Sequence, residues 1–427
     1  MSKSVHNDPI PLVIVEGFLG GAGACLWGNF EAHLNKERKA LGLKVRKCIF
    51  ASVGPVSSLH DRACELYYAL VGGTVDYGAE HSRTHGHSRY GATNLVGLYP
   101  EWSCTCPLHF FGHSIGGPTI IKLQDLLKQG YFGPSTRPEM VFSVNSVSAP
   151  FRGTQLVYTL GERVDAAPAV RPMSVGSMIG KAVHVISYLS PLLPQSLNLR
   201  AEARSLSYHE SSLTSLFKQL WSSDWVESKD ATPFDVTFEG MEEREANGEG
   251  RPCPTTFYRS TTTSITTRTA KDQITHSSSL LNLFAPLYIF SRAIGTFDFS
   301  SLSPIPAFVQ ECPASDSRKR DTEQGLPQGL VSQSEPLLGE EHFSNDGVVP
   351  VFSQWHPLPC RSTTCCHVQL PSRNIQPGTW HVYQLDNVSH VSLVPFWFSS
   401  SQQRIFWMEL GQWLHRVEEF AAIRTLN

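Results

Sequence analysis

Short β-branched runs alternate with helically spaced apolar positions over the first 150 residues. Residues 10–15, Ile-Pro-Leu-Val-Ile-Val, predict a buried strand ending in a glycine turn at Gly17. Lys44–Ala51 predicts a second strand, Leu108–Phe111 a third and Val141–Val144 a fourth. Between them, Asp61–Val71 carries Ala63, Leu66, Tyr67 and Leu70 on one helical face, and Pro118–Leu127 has the same spacing. Strands and helices in this rhythm predict an α/β fold, with a mostly parallel central sheet and helices on both faces.

The rhythm weakens after Pro150. Residues 151–240 read as an insertion into the sheet order of a single domain spanning 1–427. Within it, Val175, Met178, Ile179, Ala182, Val183, Ile186 and Leu189 recur at helical spacing, and Pro191 ends the run. Such a stripe must be buried against something. It is expected to cover the active cleft as a mobile lid, the alternative being a permanently docked core helix. Residues 313–341, with Arg318-Lys319-Arg320 and many polar side chains, predict a flexible surface loop.

With 427 residues, 41% of them hydrophobic, the chain can bury a large core, which excludes a mainly disordered protein. A net charge of −3 supplies no basic excess for a polyphosphate backbone, so nucleic acid is not an expected partner. The first ten residues lack a basic start followed by a long apolar run, and no apolar stretch reaches membrane-spanning length. A cytoplasmic or otherwise intracellular protein with reduced cysteines is therefore expected. Cys360, Cys365, Cys366 and His367 are close in sequence, but their spacing matches no standard zinc motif, and unpaired thiols are the expectation there.

Gly112-His113-Ser114-Ile115-Gly116-Gly117 fits G-x-S-x-G, with a strand entering and a helical pattern leaving. That context predicts a sharp turn that lifts the Ser114 hydroxyl to the sheet's edge, as in an α/β-hydrolase. A serine at neutral pH needs a base, and the base an orienting carboxylate, in the chain order serine, acid, histidine. His390, in a loop before the last helix, is the expected base, with His381 as competitor. Asp346, in the Asn345-Asp346-Gly347 turn, is the expected acid, with Asp386 as competitor. The N–H of Ile115 and that of Phe18, after the first strand, are the expected oxyanion donors.

Asp61-Arg-Ala-Cys-Glu65, Gly72-Gly-Thr-Val-Asp-Tyr-Gly-Ala-Glu-His81 and Gly86-His87-Ser-Arg-Tyr-Gly91 resemble the zinc-containing thermostable bacterial lipases related to staphylococcal lipases. The resemblance covers residues 10–150 and recurs around Asp235, Asp346 and His390. It implies an α/β-hydrolase with an inserted lid and zinc-binding region, cleaving acylglycerols or simpler esters and touching a lipid interface transiently. It places the family's triad on Ser114, Asp346 and His390, and its zinc ligands on Asp61, His81, His87 and Asp235. Two histidines and two aspartates suit one structural zinc ion. The chain departs from the family at Glu16, where histidine is usual. It departs again at Ser392 and at Val394–Trp397, where carboxylates of a calcium site are expected, so no calcium site is expected. The family is secreted, unlike the location expected here. Two other readings compete. One is a non-catalytic binding protein on the hydrolase fold. The other is a hydrolase using zinc-bound water, which four protein ligands disfavour because catalytic zinc keeps a position open.

Overall fold

The computed structural model describes residues 8–18, 20, 27–192, 204, 209, 211–221, 223, 225–270, 273–276, 285–310, 338–368, 375–394 and 400–426. Seven strands form the main sheet: β1 (Leu12–Val15), β2 (Cys48–Ala51), β3 (Leu108–His113), β4 (Val141–Val147), β5 (Phe257–Ser264), β6 (Cys365–Val368) and β7 (Trp380–Asp386). Their spatial order is β6-β7-β5-β4-β3-β1-β2, and every neighbouring pair is parallel. The four strands expected from the sequence all form, the second being shorter, from Cys48.

Strand alternation divides the core into two layers. Val13 and Val15 pack with Ala63, Leu66, Ile120 and Leu123, beneath helices α1 (Leu59–Val71) and α3 (Gly116–Lys128). Leu12 and Ile14 face the other way, onto Phe111 of β3 and onto Trp407 and Trp413 of the long C-terminal helix α6 (Ser401–Leu426). A strand buried on both faces has to read as a continuous apolar run, as residues 12–15 do.

The glycine- and histidine-rich segment after α1 lacks any helical or strand period, yet it is ordered. Gly73–Asp76 pairs antiparallel with Tyr90–Asn94, and helix α2 (Ala79–His85) sits between the two. Gly86 ends α2 in the left-handed conformation (φ 72°), which turns the chain back so that His87 follows on the same side.

Between Ser148 and Thr256 the chain leaves the sheet. Helix α4 (Val175–Leu189) has the expected bounds but a different buried face. Gly180, Val183, His184 and Ser187 point inward, while Val175, Met178, Ala182, Ile186 and Leu189 are exposed. The helix packs through this narrower face, Val183 against Val56, Trp225 and Val226, while most of its apolar stripe faces solvent. The expected loop at 313–341 lies outside the described residues, apart from 338–341. No helix among the described residues is long and apolar enough to cross a membrane.

Candidate active site and metal-binding cluster

The turn between β3 and α3 carries Ser114 at φ 54°, a strained conformation for a residue with a Cβ. Two close backbone approaches fix that turn. A Cβ on Gly116 would collide with the carbonyl oxygen of Val15, and one on Gly17 would lie 2.9 Å from the Ser114 Cβ. The end of β1 thus runs alongside the serine. Phe18 and Ile115 line the same cleft as Ser114, on the two backbone segments expected to supply oxyanion donors.

Asp346 and His390 meet at the C-terminal side of the sheet. His390 Nδ1 donates to Asp346 Oδ2 at 2.9 Å, and the His390 amide donates to the Asp346 carbonyl at 2.9 Å. Asp346 is fully buried, yet its carboxylate accepts three further hydrogen bonds. Val348 and Val349 N–H groups reach Oδ1 at 2.9 and 2.8 Å, and Thr263 Oγ1 reaches Oδ2 at 3.0 Å. Burial alone would raise its pKa, but His390 and the two amides outweigh that and hold it below the usual carboxylate range. With Nδ1 committed to Asp346, the Nε2 lone pair of His390 is left to act as a base. His113, beside Ser114, donates from Nε2 to the His390 carbonyl at 2.9 Å, tying the histidine loop to the serine turn. Burial pushes the His113 pKa down to about 3, so its ring stays neutral.

The competitors point elsewhere. His381 lies within β7 and accepts from the Gln376 amide at 3.3 Å, and Asp386 accepts from Gln384 at 2.8 Å. Glu16, the departure before Gly17, directs its carboxylate to Trp27 Nε1 at 2.9 Å. Its carbonyl accepts from the fully buried Arg62 at 2.6 Å, and Arg62 also donates to Thr119 of α3 at 2.9 Å. Arg62 therefore braces both backbone segments that flank the serine. On either side of His390, the Ser389 and Ser392 hydroxyls bond each other at 2.6 Å.

The cleft beside Ser114 has a volume of about 850 Å³ including its mouth, and its walls include Leu156, Val157, Leu160, Ile179 and Val236. One buried acid interrupts this apolar lining. Glu162 Oε1 has no hydrogen-bond partner among the described residues. Burial, with Glu227 and Glu239 nearby, pushes its pKa up to about 8 from 4.5. A raised folded pKa costs stability as pH climbs from the unfolded to the folded value. Glu162→Gln should therefore be neutral near pH 4.5 and increasingly stabilising up to about pH 8, by at most about 5 kcal/mol. Melting temperatures of the two proteins across that range check this, and a constant difference would contradict it.

Asp61, His81, His87 and Asp230 place one donor atom each within 4.8 Å of the others. Asp230, not the expected Asp235, completes the set. Asp235 Oδ2 instead accepts the Leu59 amide at 2.7 Å, capping the positive end of α1, and Asp235 lies 3.6 Å from Arg244. His81 stands on α2. Three of the converging atoms, Asp61 Oδ1, His81 Nε2 and His87 Nε2, are buried without a hydrogen-bond partner. His87 Nδ1 donates to the Ser88 carbonyl at 2.9 Å, which leaves Nε2 as the ligand atom. Orphaned oxygen and nitrogen donors around one point fit a bound cation. Arg204 donates to Asp230 at 2.7 Å, and His60 stacks on His81 at 3.6 Å. No motif or spacing marks Arg204. Asp230 stands only five residues from Asp235, in the stretch where the resemblance is weakest.

A parallel sheet with helices on both faces, a strained serine turn after a central strand and a buried Asp–His pair define an α/β-hydrolase. The model of the family described as "Lipase-like, C-terminal domain" matches residues 7–300, and the chain belongs to that family. Over 313 residues it is 28% identical to Lipase 1 of Staphylococcus aureus, covering 68% of this chain and 43% of that protein. It is 30% identical over 280 residues to the lipase of Staphylococcus hyicus, covering 60% of this chain and 40% of that protein. The matches thus span about two fifths of these relatives' lengths. The solved structure of Staphylococcus hyicus lipase superposes with a TM-score of 0.68 at 22% identity, covering 99% of this chain and 100% of that one. EstA from Clostridium botulinum gives a TM-score of 0.62 at 23% identity, covering 97% and 89%. At these identities the structural likeness is one of fold.

Proposed function

We propose that this chain is a carboxylester hydrolase of the lipase type, acting through an acyl-enzyme on Ser114. The observation that carries this reading is the buried 2.9 Å His390–Asp346 bond, tied through His113 to a serine held at φ 54°. His390 takes the serine proton as Ser114 attacks the ester carbonyl, then returns it to the leaving alkoxide. Asp346 keeps the imidazole oriented and balances the imidazolium that forms. The Phe18 and Ile115 N–H groups stabilise the oxyanion. Water then attacks the acyl-enzyme, with His390 again as base, and releases the acid.

The apolar walls of the cleft suit an acyl chain. Met178 and Leu189 of α4 and Phe217 of helix Leu213–Trp221 add exposed apolar surface in the inserted segment, which supports transient contact with a lipid interface. Asp61, His81, His87 and Asp230 are read as ligands of one structural zinc ion. It clamps the inserted segment, through Asp230, to the hydrolase core, through Asp61.

A panel of p-nitrophenyl esters from acetate to palmitate, with and without detergent micelles, tests the activity. Hydrolysis well above that of a Ser114→Ala control is expected for at least part of the series. Turnover equal to the control across the whole series would leave a non-catalytic binding protein on this fold.

A further inference from the structure

The second cluster of ligating side chains lies at the sheet's β6 edge, apart from the cleft and from Asp61. Helix α5 (Val351–Trp355) follows the Asp346 turn and delivers His356, which is 1% exposed. His356 Nδ1 donates to the Leu358 carbonyl at 2.6 Å, so Nε2 carries the free lone pair. Cys360 Sγ stands 3.4 Å from His356 Nε2 and 3.5 Å from His367 Nε2. Cys365 and His367 are two apart on β6 and share one face of the strand, whereas Cys366 between them faces the other way. The four donor atoms of His356, Cys360, Cys365 and His367 all lie within 4.8 Å of one another.

We propose that His356, Cys360, Cys365 and His367 form a second, structural zinc site. A tetrahedron with Zn–N and Zn–S bonds of about 2.0–2.3 Å has ligand–ligand edges of roughly 3.3–3.8 Å, and both measured sulfur–nitrogen separations fall in that range. Two thiolates and two neutral imidazoles neutralise the dication, and the two thiol protons leave to solvent on binding. A Cys360–Cys365 disulfide would account for the sulfurs but not for two imidazole nitrogens aimed at one of them. The spacing, H-x3-C-x4-C-x-H, departs from standard zinc motifs because the parallel pairing of β6 with β7, not a zinc knuckle, sets two of the ligands.

The site has a structural consequence. Among the described residues β6 is an edge strand, hydrogen-bonded only to β7. Zinc would join it to α5, whose Gln354 accepts from the Thr263 amide at 2.8 Å beside the Asp346 carboxylate.

Metal analysis of the full chain, purified without chelators and passed through metal-free buffer, tests this. Two zinc equivalents per chain are expected. Cys360→Ser should lower the content to one, and His81→Ala should remove the other equivalent. Cys360 is exposed, so its replacement should leave the fold intact. Cobalt exchange of the unmodified chain requires no variant and should give a sulfur-to-cobalt charge-transfer band, lost in Cys360→Ser. A single equivalent that Cys360→Ser leaves unchanged, a cobalt spectrum without the sulfur band, or a Cys360–Cys365 disulfide in freshly isolated protein would each overturn the proposal.

Discussion

Replacing Ser114 with alanine should lower kcat toward a short-chain ester by about 10⁶-fold, because no other group can form the acyl-enzyme. The fold should lose less than about 1 kcal/mol, since the change removes one hydroxyl from a turn that glycine packing and Arg62 hold in place. Asp346→Asn should cost about 10⁴-fold, through loss of the imidazole's correct tautomer and of its countercharge. It also alters a carboxylate that accepts four hydrogen bonds, so it should destabilise as well as inactivate. Steady-state kinetics and thermal melts of the same preparations separate the two effects. A Ser114→Ala protein retaining a tenth of the activity would place the nucleophile elsewhere.

The largest stability effect should come from the Asp61–His81–His87–Asp230 cluster. His81→Ala removes a ligand and leaves two buried carboxylates facing only His87 and Arg204, a loss of about 3–5 kcal/mol. The cluster also makes the value of zinc depend on pH. In metal-free protein, burial works against protonated His81, but the facing Asp230 and Asp61 carboxylates, 3.2 and 3.3 Å away, outweigh it and raise its pKa to about 9 from 6.5. That stabilisation is complete below pH 6.5 and disappears as pH rises through about 9. A zinc ion held there would take the place of the proton, and zinc-loaded protein would escape the loss. The melting-temperature gap between loaded and stripped protein should therefore widen from pH 6.5 to 9, by on the order of 2 kcal/mol. The comparison is best made in Cys360→Ser protein, where only this cluster should bind metal. A gap that narrows over this range would contradict the assignment.

Local pattern carried much of the architecture. Residues 12–15 read as a doubly buried strand because every side chain is apolar, and they are one. The serine pentapeptide lay between recognisable elements, so its turn could be placed before its geometry was known. Long-range chemistry was less legible. Helix α4 was read with the right ends but the wrong inner face, because an apolar stripe marks a helix without saying which side meets protein. Asp230 and Asp235 both stand in the insertion, and only the folded chain shows which one turns to His81 and His87 and which caps α1. The order in 73–94 escaped because its strands and helix are each too short to establish a period. At residues 360–367 the sequence brings two thiols and His367 together without a standard zinc spacing, and it gives no sign of His356, because that donor comes from a helix end and the others from a turn and a strand.

The central claim is that Ser114 is an activated nucleophile. Its most direct test is reaction of the full chain with a fluorophosphonate, followed by peptide mass mapping. Stoichiometric phosphonylation of Ser114, much slower in Asp346→Asn and absent in Ser114→Ala, is the predicted result. No adduct, or an adduct on a different serine, would contradict it.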